Sequence, residues 1–192
     1  LSVSYGKLGN IAIAEGKLSE AKKYYISSME ISKGIAEKTQ TIEARRDLSV
    51  CYGKLGNIAY AVMDLSGSWD YYMKATRIFE ELSGDMPDID TGHFLSVSYI
   101  RLGDIKKSEG KLNEAEDYYR RAVDAVAELA EETGASIIYR DTSASYDRLA
   151  MLLLAQGKNN EAKKYCLKAL EISEIIAEET ETMEARRDLA IS

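Results

Sequence analysis

The sequence predicts an all-α fold of tandem antiparallel helical hairpins stacked into a solenoid, and three observations carry that expectation. The block Tyr5-Gly6-Lys7-Leu8-Gly9-Asn10-Ile11-Ala12 returns as Tyr52-Gly53-Lys54-Leu55-Gly56-Asn57-Ile58-Ala59, at an offset of 47. The same offset carries Tyr5 to Tyr52, Tyr99 and Tyr146, Leu8 to Leu55, Leu102 and Leu149, and Tyr24 to Tyr71, Tyr118 and Tyr165, without an insertion. Between these anchors apolar residues step by three and four, as in Leu48, Cys51, Tyr52, Leu55, Ile58, Ala59 and Val62, which marks one face of a helix.

The register divides 1–192 into repeats 1–47, 48–94, 95–141 and 142–188, with 189–192 opening a fifth, all within one repeat domain. Because the chain opens at Leu1 inside a helix and stops inside another copy of it, a piece of a longer protein is expected. Copies stacking end to end into a homo-oligomer are the other expectation.

Each repeat starts with a helix A that ends at a turn, Glu15-Gly16-Lys17-Leu18 in the first. Ser19 is then expected to cap helix B, and Asn113 and Asn160 to do so in later repeats. A Glu follows each of these, which suits the positive end of a helix dipole. The inner face of helix B reads Ala21, Tyr24, Tyr25, Ser28, Ile31 and Ile35. Its far end is marked by Thr39-Gln40-Thr41, Ser83-Gly84-Asp85-Met86-Pro87 and Thr133-Gly134, with Pro87 placed as a first-turn residue of the next helix A. Both helices should run roughly 18 to 20 residues, close to 30 Å. A lone hairpin cannot cover its own apolar face, so neighbours stack, and residues 47 apart become ladder neighbours roughly 10 Å from one another.

Composition narrows the functions available. Charged residues make up 30% and hydrophobic ones 45%, and no apolar run reaches the roughly 18 residues of a membrane span, so no membrane partner is expected. Lys+Arg number 25 against 32 Asp+Glu, a net charge of −7, which disfavours nucleic acid. Cys51 and Cys166 are far apart and each replaces another residue type in its ladder. Two lone thiols without a leader sequence point to a reducing, cytoplasmic setting.

The repeat resembles the tetratricopeptide repeat, in a long 47-residue form. The match lies in Tyr5, Leu8, Gly9, Ala12, Ala21, Tyr25 and Ser28 of the first repeat, and in Tyr99, Leu102, Gly103, Ala115, Tyr119 and Ala122 of the third. Gly9 permits close helix approach and Ala21 fits the gap. The resemblance implies a right-handed superhelix whose A helices line a concave groove for proteins or peptides. Several residues depart from the pattern: Ala150 and Cys166 replace Gly and an aromatic in the fourth repeat. In the second repeat Met63 stands for the turn glycine and Gly67-Ser68-Trp69 for Glu-Ala-charged.

No set of residues supports catalysis, so no enzyme is expected, and no cofactor or metal. His93, the one histidine, stands where other repeats have Arg46, Arg140 and Arg187, and reads as a polar surface residue. Cys51 stands where others have Ser4, Ser98 and Ser145, a small core-edge position. Eleven of thirteen tyrosines belong to the ladders from Tyr5, Tyr24 and Tyr25 and read as core.

The candidate binding residues lie on the second face of helix A. Lys7, Lys54, Arg101 and Arg148 form a basic ladder, and Asn10, Asn57 and Asp104 lie beside it, with Tyr60 a further groove candidate. Stacked cations call for something negative between them. An acidic peptide or a C-terminal carboxylate fits, while asparagines can bond an extended backbone. The competing reading pairs the cations with internal carboxylates such as Asp104 or Asp147. Trp69 and Phe94 replace charged residues and read either as exposed anchors or as local packing over the irregular second-repeat turn. The function expected is a scaffold that binds a protein or peptide in the A-helix groove. The alternative is a regulatory or sensor segment of a larger signalling protein or enzyme, contacting a domain of the same chain.

Overall fold

A computed structural model describes residues 1–84 and 88–191, with side chains as far as 179. Among the described residues nine helices follow one another: α1 (Ser2–Ala14), α2 (Leu18–Thr39), α3 (Ile42–Ala61), α4 (Leu65–Ser83), α5 (Ile89–Ser108), α6 (Leu112–Asp124), α7 (Ala127–Thr133), α8 (Ser136–Ala155) and α9 (Asn159–Ile191). The all-α class and the tandem hairpins are as the repeat predicts. Two compact units contain them, Leu1–Asp85 and Met86–Ser192. In the first, α1 packs on α2, α2 on α3, and α3 on α4. In the second, α5 packs on α6 and α8 on α9, with α6 and α5 also against α8.

The turn between A and B helices is closed by backbone alone. Lys17 N–H reaches Ala12 O at 2.8 Å, and Asp64 to Ala59, Lys111 to Lys106 and Lys158 to Leu153 repeat the bond at 2.9 Å. This six-to-one bond requires a left-handed residue just before the donor, supplied by Gly16, Gly110 and Gly157 with φ of 74° to 76°. In the second repeat Met63 must adopt φ 61° instead.

The same turn corrects the expected caps. Lys17 O already accepts from Ala21 N–H at 3.0 Å, so α2 starts at Leu18 and Ser19 lies inside its first turn, capping nothing. Asn113 and Asn160 likewise fall inside α6 and α9. Glu20, Glu114 and Glu161 do sit in first turns, as the dipole argument asks. Side-chain caps appear instead at Asp64 on Gly67, Thr41 on Ala44 and Asp88 on Thr91. Left-handed Gln40 and Gly134 end helix B where expected. Pro87 and the close of that loop lie outside the described residues, as do the side chains of the fifth-repeat opening.

Helix lengths depart from uniformity. α9 has 33 residues, and helix B of the third repeat is broken between α6 and α7. Gly92 on α5 marks the break. A methyl there would lie 2.7 Å from Leu129 and 3.1 Å from the Ala125 carbonyl, so the missing side chain lets the interrupted backbone close onto α5. Val126, Leu129, Ala130 and Ile138 then form a local core.

Ladder positions repeat their surroundings. Leu55, Leu102 and Leu149 are fully buried, each removing apolar surface worth about 2 kcal/mol, whereas Leu8 on α1 is exposed. Tyr5 packs on Tyr24, Tyr52 on Tyr71 and Tyr99 on Tyr118 with ring centres 6.4 Å apart, and Tyr146 on Tyr165 at 5.7 Å. Lys74, Arg121 and Lys168 place a cation over the later three pairs, at a position occupied by Ser27 in the first repeat. Ser68, standing for a buried alanine, donates to the Gly56 carbonyl at 3.0 Å, which satisfies the hydroxyl it introduces.

Candidate functional site

Helix A of the first three repeats turns an asparagine or aspartate toward a helix B tyrosine fifteen residues later. Tyr25 Oη donates to Asn10 Oδ1, Tyr72 to Asn57 Oδ1, and Tyr119 to Asp104 Oδ1, each at 2.7 Å. The rings reach these oxygens because the preceding residue is glycine. A methyl on Gly9, Gly56 or Gly103 would lie 2.4, 2.9 or 2.5 Å from the ring of Tyr25, Tyr72 or Tyr119. Gly9 therefore admits a tyrosine ring, a more specific role than close helix approach. Burial raises the pKa of the Tyr25 hydroxyl and keeps it a proton donor. The fourth repeat changes all three members together: Ala150 replaces glycine, Met151 the acceptor, and Cys166 the ring.

In the first compact unit this arrangement lies in a trough between α1 and α3, floored by α2. One cavity of about 210 Å³ holds Lys7, Asn10, Lys54 and Asp47 over a floor of Ser28 and Ser32. A second, of about 350 Å³, shares Asn10, Tyr25 and Lys54 and continues over apolar Ile13, Leu18 and Ile58. Lys7, Lys54, Asn10 and Asn57 are exposed, and neither lysine has an ion-pair partner among the described residues. Because tyrosines take the Oδ1 atoms, the amide nitrogens of Asn10 and Asn57 remain as donors toward the trough. Tyr60 is half-buried on α3 and lines neither cavity. Within the lining of the first cavity, Ser2 Oγ meets Ser32 at 2.6 Å and Ser28 at 3.0 Å, and the Cys51 thiol lies 3.4 Å from Ser28. Cys51 is thus the buried, small packing residue its ladder suggests.

The second compact unit neutralises the equivalent residues itself. Asp104 is buried, with one oxygen 3.5 Å from Arg101 Nη1 and the other 3.3 Å from Arg148 Nη1. Asp104 is thus an internal carboxylate shared by two cations of the basic ladder. Arg101 Nε is buried without an acceptor.

His93 is more than a surface residue. Its Nδ1 lies 2.6 Å from Asp141 Oδ2 across α5 and α8, and that hydrogen bond raises the imidazole pKa against the opposing effect of burial. Trp69 and Phe94 are both half-buried. Sequence reasoning placed Tyr25, Tyr72 and Tyr119 in the core without seeing that their hydroxyls orient the groove. The threefold Asn/Asp-to-Tyr spacing of fifteen was the available signal. Among the described residues no group of three metal-ligating side chains gathers, and no helix is long and apolar enough to cross a membrane.

Stacked A/B hairpins with glycine-admitted tyrosines define a helical repeat protein. Family profiles described as tetratricopeptide repeat match residues 3–34, 97–125 and 142–179, together just over half of the sequence, and the chain belongs to the tetratricopeptide repeat family. BtubC (BKLC) from P. vanneervenii is similar in structure with a TM-score of 0.72 and 17% identity, over 92% of this chain and 65% of that one. Aspartyl phosphate phosphatase F from Bacillus subtilis gives 0.72 and 16%, over 90% and 40%. A signal transduction ATPase with numerous domains and a tetratricopeptide repeat sensor, from Pyrococcus horikoshii, gives 0.66 and 19%, over 96% and 25%. The chain spans less than two thirds of each of these proteins, and the likeness is one of fold. No curated protein matches the sequence.

Proposed function

We propose that this chain is a non-catalytic protein-interaction scaffold whose A-helix groove, in the first compact unit, takes an acidic segment or terminal carboxylate of a protein or peptide partner. One observation carries the reading: Lys7 and Lys54 stand exposed on adjacent helices of one trough without an ion-pair partner among the described residues. Two cations held near one another gain from an anion between them, and the free amide nitrogens of Asn10 and Asn57 can bond its backbone. Apolar Ile13 and Ile58 offer the neighbouring side chain a place to bury. Two free cysteines support a reducing, cytoplasmic setting for this activity.

The test is retention of random-sequence peptides on the immobilised protein, compared with Lys7→Glu/Lys54→Glu. Wild type should enrich acidic peptides, and the double reversal should weaken them by about tenfold or more, or about 1.4 kcal/mol. Because both side chains are exposed, the melting temperature should hold. Equal retention by the two proteins would remove the groove from consideration.

A second reading follows from the likeness to a repeat sensor within a larger ATPase. In it the groove engages a domain of the same longer chain. Addition of that domain in trans would then compete with the acidic peptides, and lack of competition rules the reading out.

A further inference from the structure

We propose that Asp104 occupies, from within, a second carboxylate-binding site on α5 and α8, and so confines anionic ligands to the first compact unit. The inference rests on the groove reading above, and deepens it by naming the residue that sets where a ligand goes.

Asp104 stands to Arg101 and Arg148 as Asn10 stands to Lys7 and Lys54: three residues after the first cation and forty-four before the second. Both acceptors are fixed by the same tyrosine bond of 2.7 Å. The side chains are nearly isosteric and differ in charge. With asparagine the two cations face a neutral amide, and among the described residues neither forms an ion pair with Asp47 of the same cavity, so they remain available. With aspartate each cation meets one carboxylate oxygen, at 3.5 and 3.3 Å. A carboxylate tethered to the site outcompetes a free one by its effective concentration, so an outside anion finds the place taken. The internal fit is incomplete. Asp104 engages only Nη1 of Arg101, leaving the buried Nε without an acceptor, whereas a free carboxylate can take both nitrogens of the guanidinium fork.

The exchange works in both directions, and each substitution installs what the other unit already tolerates. Asp104→Asn keeps an oxygen for Tyr119 and releases Arg101 and Arg148. Asn10→Asp keeps the oxygen for Tyr25 and neutralises Lys7 and Lys54. The experiment titrates the ¹⁵N-labelled protein with the blocked peptide acetyl-Glu-Glu-Glu-Glu-amide and follows backbone amide and arginine Nε signals.

Wild type should show shifts around Lys7 and Lys54 only. Asp104→Asn should add a second saturable set at Arg101 and Arg148, and Asn10→Asp should weaken the first set by about tenfold. Unmoved Arg101 and Arg148 signals in a folded Asp104→Asn protein, at peptide levels that saturate the first unit, overturn the role given to Asp104. If that variant does not fold, undiminished Lys7 and Lys54 shifts in Asn10→Asp do the same. Absence of shifts at Lys7 and Lys54 in wild type defeats the groove reading instead.

Discussion

Met63 holds a left-handed backbone with φ 61° at a turn where three other repeats use glycine. A Cβ in that conformation costs about 1 kcal/mol, and the side chain is largely exposed, so it returns little by packing. Met63→Gly should stabilise the protein by about 1 kcal/mol, read from a urea midpoint moving upward. A midpoint that stays or falls would mean the turn is not strained. His93 gives a pH dependence of defined sign. Its hydrogen bond to Asp141 chiefly raises its pKa above the ordinary 6.5, burial opposes, and the Asp141 and Asp90 charges add to the rise. The folded state therefore holds the proton more tightly than the unfolded chain. The resulting stabilisation is complete below the unfolded value and is lost as pH rises through the raised folded one. His93→Gln should cost more stability at about pH 6 than at about pH 9, and an equal cost at both would show that the imidazolium form adds nothing.

At the scale of the hairpin, the glycine, acceptor and ring act as one device. Gly103→Ala drives a methyl to within 2.5 Å of the Tyr119 ring, an overpacking worth about 1–3 kcal/mol. Tyr119→Cys alone empties a fully buried ring site at about 3 kcal/mol or more. The fourth repeat carries both changes at once, as Ala150 and Cys166. The double variant should accordingly lose less than the two single losses combined, by about 1 kcal/mol or more in a double-mutant cycle. Strict additivity would mean that the glycine and the ring are unrelated. The hairpin scale also shows why caps were misplaced. Ser19 and Asn113 have capping chemistry, but the glycine turn had already fixed the helix start through main-chain bonds, which leave no trace in side-chain identity.

Over the whole molecule, the 47-residue register was legible because stacked hairpins give equivalent residues equivalent neighbours, as the tyrosine pairs show at near-constant spacing. The interruption between α6 and α7 was not, since it depends on one glycine, Gly92, on a different helix. The basic ladder was visible as a row of Lys and Arg, yet its division was hidden. Whether a cation is available turns on one atom of the Asn or Asp side chain three residues later, and on a tyrosine fifteen residues beyond that.

One tryptophan serves the entire chain, and it lies on α4, in the first compact unit. Indole emission from Trp69 therefore reports on residues 1–84, while circular dichroism at 222 nm averages every helix. Following both signals through a single denaturation resolves the melting of the lysine-bearing half from that of the arginine-bearing one, with no label introduced.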